Sequence, residues 1–146
     1  MTGKADSRSI RLEYDLPHPP AKVWRALTEP KLLAAWLMAS DAEPVAGRGF
    51  TFKMDPTPWW DGIVRCEVLE LEQHKRLRYT WQGGTGATRL DTVVTWTLSE
   101  TPSGGTRLQL EHSGFAPDNK FAFDGADKGW QRNLDQRLRA LLAELP

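Results

Sequence analysis

Apolar residues recur at every second position through most of the chain and at every third or fourth position near its end. Ile10, Leu12, Tyr14 and Leu16 alternate with Arg11, Glu13 and Asp15, which predicts a half-buried strand stopped by Pro17, Pro19 and Pro20. Residues 21 to 27 then read as a short helix with Val23, Trp24 and Leu27 inward. Pro30 opens a second one carrying Leu32, Leu33, Trp36 and Leu37. Phe50, Phe52 and Met54 alternate with Thr51 and Lys53 before the turn signal Asp55-Pro56-Thr57-Pro58.

A longer strand follows from Ile63 to Leu71. Val64, Cys66 and Val68 share one face, but Leu69 and Leu71 carry the apolar phase on the other parity, which predicts a bulge near Val68-Leu69. Leu77, Tyr79 and Trp81 form the next strand, closed by the turn Gly83-Gly84-Thr85-Gly86. Val94, Trp96 and Leu98, then Leu108, Leu110 and His112, form the last hairpin. From Trp130 onward Leu134, Leu138, Leu141, Leu142 and Leu145 lie on one side, opposite Gln131, Arg132, Asp135, Arg137 and Arg139, so the chain is expected to end in an amphipathic helix.

The order is strand, two short helices, five strands in a meander and a long helix, an α+β plan with short connections that favour an antiparallel sheet. The last helix is the long element left to cover one sheet face. The chain has 146 residues, 40% of them hydrophobic, enough for one domain with its own core. Residues 1–8 are expected to be a disordered N-terminal segment and residues 9–146 a single domain.

Nineteen basic and nineteen acidic residues cancel, and no basic stripe with interleaved aromatics is present, so nucleic-acid binding is not expected. No run approaches the roughly 18 apolar residues of a spanning helix, so no membrane insertion is expected. The polar N-terminus lacks the apolar core of a secretory signal, and the single cysteine, Cys66, forms no internal disulfide. A cytoplasmic protein is expected.

Seven tryptophans are the compositional oddity. An indole buries a large apolar area while its N–H still needs a partner, so Trp36, Trp81, Trp96 and Trp130 either line a pocket or fill a core, whereas Trp24 reads as core. Trp59-Trp60 cannot both face inward along an extended strand, which exposes one of them as a lid, a dimer contact or a folded-back loop. His112, beside Leu108 and Leu110, is read first as a hydrogen-bonded core histidine with a depressed pKa, and second as a pocket's polar anchor or acid/base. His18, His74 and His112 do not converge by spacing, so no metal and no cofactor is expected. No nucleophile elbow, no Cys66–histidine pairing and no phosphate loop is recognisable.

Several segments together resemble the bacterial family related to the activator of the heat-shock-protein-90 ATPase, within the START-like (SRPBCC) superfamily. They are the run from Pro20 to Pro30, Trp36-Leu37, the run from Leu77 to Trp81, Val94 to Leu98, Thr106-Arg107-Leu108, His112 to Phe115, and Gly129-Trp130. The resemblance implies a helix-grip fold in which a curved antiparallel sheet of six to seven strands wraps around the C-terminal helix, with an elongated apolar cavity between them. The superfamily hosts carriers, receptors, cyclases and co-chaperones on this scaffold.

The first functional expectation is therefore a non-catalytic or weakly catalytic module that binds a small hydrophobic or aromatic molecule. The residues assigned to that site are Trp36, Phe50, Phe52, Trp60, Val64, Trp81, Trp96, His112, Phe115, Phe121, Trp130 and Leu134, with no catalytic residue among them. The alternatives are a cyclase- or hydrolase-type enzyme using His112 and Tyr79 in the same cavity, and a co-chaperone-like or self-interacting protein such as a homodimer. Contact with a chaperone is not expected to carry over, because the chain has no room for the separate N-terminal domain with which the eukaryotic co-chaperone engages its partner.

Overall fold

The computed structural model of the chain describes residues 8–43, 45–58, 60–84, 89–117 and 120–145. Its strands are β1 (Arg8–Leu16), β2 (Ala39–Ser40), β3 (Gly49–Lys53), β4 (Ile63–Glu72), β5 (Arg76–Gly83), β6 (Leu90–Glu100) and β7 (Thr106–Phe115). Two short helices, α1 (Pro20–Thr28) and α2 (Pro30–Trp36), follow β1. The chain ends in α3 (Lys120–Arg132), a π-helical segment (Asn133–Leu138) and α4 (Arg139–Glu144), which run on without leaving helical backbone angles.

The strands pair antiparallel in the order β1-β7-β6-β5-β4-β3-β2, so the two helices carry the chain from one sheet edge to the other. Proline opens both helices, where its missing N–H costs nothing and its fixed φ suits the first turn. The indole N–H of Trp36 donates to the Ala26 carbonyl at 2.8 Å and ties α2 to α1. The expected bulge is present: Val68 faces Tyr79 while Glu70 faces Arg78, and Leu69 is left exposed between them. The two-residue strand β2 went unread in the sequence, because two residues are too few to show an alternation.

A second bulge lies where β7 meets β1. Phe115 pairs with Arg8 and Ser113 with Ser9, which leaves Gly114 as the extra residue at φ +95°, a conformation that a side chain resists. The bulge turns Phe115 to the same face as His112, and their ring centroids lie 4.5 Å apart. Arg8, grouped by its polarity with the N-terminal segment, is the first residue of β1 and lies over the Phe123 ring. Residues 1–7, expected to be disordered, lie outside the described residues.

The C-terminal helix starts ten residues before the reading from Trp130 implied. Gly125 and Gly129 lower helix propensity and hid that first half, where contact with the fold overrides the preference. Trp130, Leu134, Leu138 and Leu142 are all buried on the sheet face that also carries Phe52, Trp81 and Trp96. Their constant spacing of four would drift around a regular α-helix. The π-turn, with i→i+5 bonding and more residues per turn, holds the row on one side. Each fully buried leucine there contributes about 1.5–3 kcal/mol. Among the described residues, no helix is long and apolar enough to cross a membrane.

Candidate functional site

A cavity of about 650 Å³ opens between the first half of the C-terminal helix and the β4–β5 end of the sheet. Trp81 of β5 and Trp130 of α3 form its floor, with ring centroids 5.3 Å apart. Val64 and Leu90 extend the sheet wall, and Leu37 and Met38 close the side next to α2. Trp60 reaches the site from the β3–β4 loop, anchored by its indole N–H on the Ile63 carbonyl at 3.1 Å. Gly83 permits this approach, since a Cβ there would sit 3.4 Å from the Trp60 indole nitrogen and 3.1 Å from the Ile63 carbonyl.

Small residues open one stretch of the helix wall. Ala122, Gly125, Ala126 and Gly129 line the cavity, and a Cβ placed on either glycine would meet nothing within 4 Å. The space exists because small residues stand where larger ones would fill the gap. Met54 and Phe121, both strongly exposed, form lips at the mouth.

Of the twelve residues assigned from sequence, the cavity brings together Trp60, Val64, Trp81, Phe121 and Trp130. Trp36, Phe50, Phe52, Trp96, His112, Phe115 and Leu134 lie below or beside it in the packed core, each no more than 7% exposed. Phe52 backs Trp81 at 5.3 Å and Trp96 backs Trp130 at 5.5 Å, so the floor rests on further rings. The cavity is also shorter than the elongated one implied by resemblance. Leu134, Leu138 and Leu142 close the second half of the interface. Trp59, the neighbour of Trp60, lies outside the described residues.

His112 is fully engaged by the protein. The Trp130 indole N–H donates to its Nδ1 at 2.9 Å, and its Nε2 lies 2.7 Å from the Thr92 hydroxyl. An indole N–H only donates, so Nδ1 must be the acceptor and the proton must sit on Nε2. Nε2–H then donates to Thr92, whose hydroxyl donates to the Trp81 carbonyl at 2.8 Å. Burial without a carboxylate partner pushes the His112 pKa down to about 3, which agrees with the neutral core histidine expected from sequence. Neither ring nitrogen is left for a ligand.

Tyr79 is also buried, and burial pushes its hydroxyl above the usual phenol range. Its oxygen accepts the Trp96 indole N–H at 3.0 Å. Among the described residues, no group of three or more His, Cys, Asp or Glu side chains could hold a metal ion.

Charged residues at the cavity border were not foreseen from the sequence. Lys128, Arg132 and Arg137 border the cavity together with Asn133, the first residue of the π-turn. Asp124 also borders it, but accepts a hydrogen bond from Lys120 at 2.7 Å that holds its carboxyl below the usual range. Two signals were available: the small residues at 122, 125, 126 and 129, and the strict fours from Trp130 to Leu142 that mark a helix wider than α.

The Activator of Hsp90 ATPase homolog 1-like family matches residues 17–143. The chain belongs to this family. A crystal structure from Mesorhizobium loti is 42% identical, covers 95% of this chain and 99% of its own, and superposes with a TM-score of 0.86. A protein of the dynemicin biosynthetic locus, DynU16, is 25% identical with a TM-score of 0.74 over 93% of this chain and 47% of its own. The Aha1 protein of Colwellia psychrerythraea, solved as a dimer, shares the fold at 19% identity, with a TM-score of 0.76 over 92% of this chain and 96% of that one. No curated protein matches the chain. The family assignment and the helix-grip fold therefore agree with the reading from residues.

Proposed function

We propose that the chain binds a small apolar or aromatic molecule on the Trp81–Trp130 floor, without transforming it, in a cytoplasmic setting. The observation that carries this reading is a helix wall cleared by Gly125 and Gly129 directly beside two indoles. A two-ring aromatic burying about 200 Å² of apolar surface would gain about 5 kcal/mol before the cost of immobilisation. Catalysis gains no such support, because His112 has both nitrogens hydrogen-bonded inside the protein and the Tyr79 hydroxyl is buried in the core. The similar protein DynU16 belongs to the dynemicin biosynthetic locus, a setting in keeping with a ligand-binding role.

Titration with N-phenylnaphthylamine, a neutral apolar fluorophore, tests the reading. Binding should enhance the probe and alter tryptophan emission, and Gly129→Leu should abolish it by filling the cavity while the circular dichroism spectrum stays native. Undiminished binding to a folded Gly129→Leu protein would remove the site.

A further inference from the structure

Three cations and one carboxylate, Asp124, are the charged side chains that border the cavity. Lys128, Arg132 and Arg137 all border it, and among the described residues none of the three forms an ion pair with a carboxylate. Most other described arginines do: Arg76 and Arg78 share Glu70, Arg107 lies between Glu13 and Asp15, and Arg139 reaches Asp135. The acid on the same wall, Asp124, is taken up by Lys120. In a chain whose total charge is zero, the cavity border thus carries more cations than carboxylates, with Lys128 acting on Asp124 and Arg132 and Arg137 outside any ion pair among the described residues.

Asn133 adds an independent sign. Its Oδ1 is buried and has no hydrogen-bond partner, although the residue borders the cavity. A buried amide atom without a partner is costly. Rotation of the amide exchanges its oxygen and NH2, so the side chain can offer either a donor or an acceptor where it meets the cavity. The π-turn brings Asn133 to the wall that Arg132 and Arg137 also border.

We infer that the ligand is an organic anion: an apolar, ring-bearing body on Trp81 and Trp130, with a carboxylate, sulfonate or comparable acidic group turned toward Arg132, Arg137 and Asn133. The inference rests on the cavity being a binding site and adds the charge class of its occupant. Guanidinium groups suit such an anion because their donors are fixed in a planar fork. Low-dielectric indole walls strengthen the attraction beyond that at an open surface.

The test uses two probes with one ring skeleton, neutral N-phenylnaphthylamine and its anionic sulfonate, anilinonaphthalene sulfonate. The sulfonate should bind about tenfold more tightly at low ionic strength, and the advantage should shrink as salt is added. Arg132→Gln combined with Arg137→Gln should remove that advantage and leave the neutral probe unchanged. Arg107→Gln, on the outward face of β7, should leave both affinities unchanged. Equal affinity of the two probes, with Gly129→Leu blocking both, would overturn the anion and keep the cavity. A double variant that weakens both probes alike would also overturn it, and failure of both probes to bind would remove the cavity reading together with this inference.

Discussion

The two halves of the C-terminal helix face the same sheet and meet it in opposite ways. Before Trp130, apart from Phe123 packed on Phe115, the wall is opened by Ala122, Gly125, Ala126 and Gly129, and a cavity of about 650 Å³ remains. After Trp130 the inward positions are Leu134, Leu138 and Leu142, each buried to 1% exposure or less, and the interface is closed. Backbone course and facing sheet are shared, so side-chain volume decides which part of the interior is core and which is hollow. Trp130 belongs to both: one side of it floors the cavity, and its N–H enters the core through His112.

The largest effect should come from cutting into the closed half. Leu138→Ala, at a position with no exposure, should cost about 2–5 kcal/mol in urea unfolding and leave probe affinity in the cavity nearly unchanged. A loss below about 1 kcal/mol would mean that the closed half also has room to relax, and the contrast would weaken.

The boundary between the halves is read by pH. His112 is neutral in the folded protein down to about 3, whereas an unfolded histidine takes up its proton near 6.5. As pH falls below that value the unfolded chain binds a proton that the native state refuses, so stability drops on acidification. By pH 5 this group alone should cost about 2 kcal/mol. The His112 ring resonances should meanwhile show no titration between pH 7 and pH 5, and a midpoint near 6.5 would break the hydrogen-bond chain assigned to it.

The smallest effect belongs to the open half and has the opposite sign. Gly129→Ala should raise stability by up to about 1 kcal/mol, since the position is helical and the added methyl meets nothing within 4 Å. Unfolding midpoints for this variant, read beside its probe affinity, show whether stability and open space trade against each other at that position.

How far the sequence could be read follows from the same contrast. Alternation along β4, β5 and β6 tells which side chains point inward, and that was enough for the sheet, for the bulge at Leu69 and for the neutral His112. It does not tell whether the space beyond those side chains is filled. Phe52, Trp81 and Trp96 all face inward, but Trp81 alone of the three reaches the cavity, because packing by other rings and by α3 decides the matter. Trp60 and Phe121, both named from sequence, border the cavity, Trp60 from the β3–β4 loop and Phe121 from a stretch of helix that the sequence did not reveal. Lys128 fell outside the helix read from Trp130, while Arg132 and Arg137 were placed opposite the apolar row by a projection that assumes regular α-turns, an assumption the π-turn breaks at Arg137.

The chain of hydrogen bonds from Trp130 through His112 and Thr92 to the carbonyl of Trp81 begins and ends on the two residues of the floor. The Trp130 indole is oriented by that chain, and the Trp81 ring by its packing between Phe52 and Trp130, before anything arrives. A guest that lies on them freezes few rotamers, a saving of about 0.5–1.5 kcal/mol for each side chain that would otherwise have to be ordered. Recognition then depends on the fit of the guest to a surface already set, so affinity should follow its shape and be largely insensitive to adaptation by the protein.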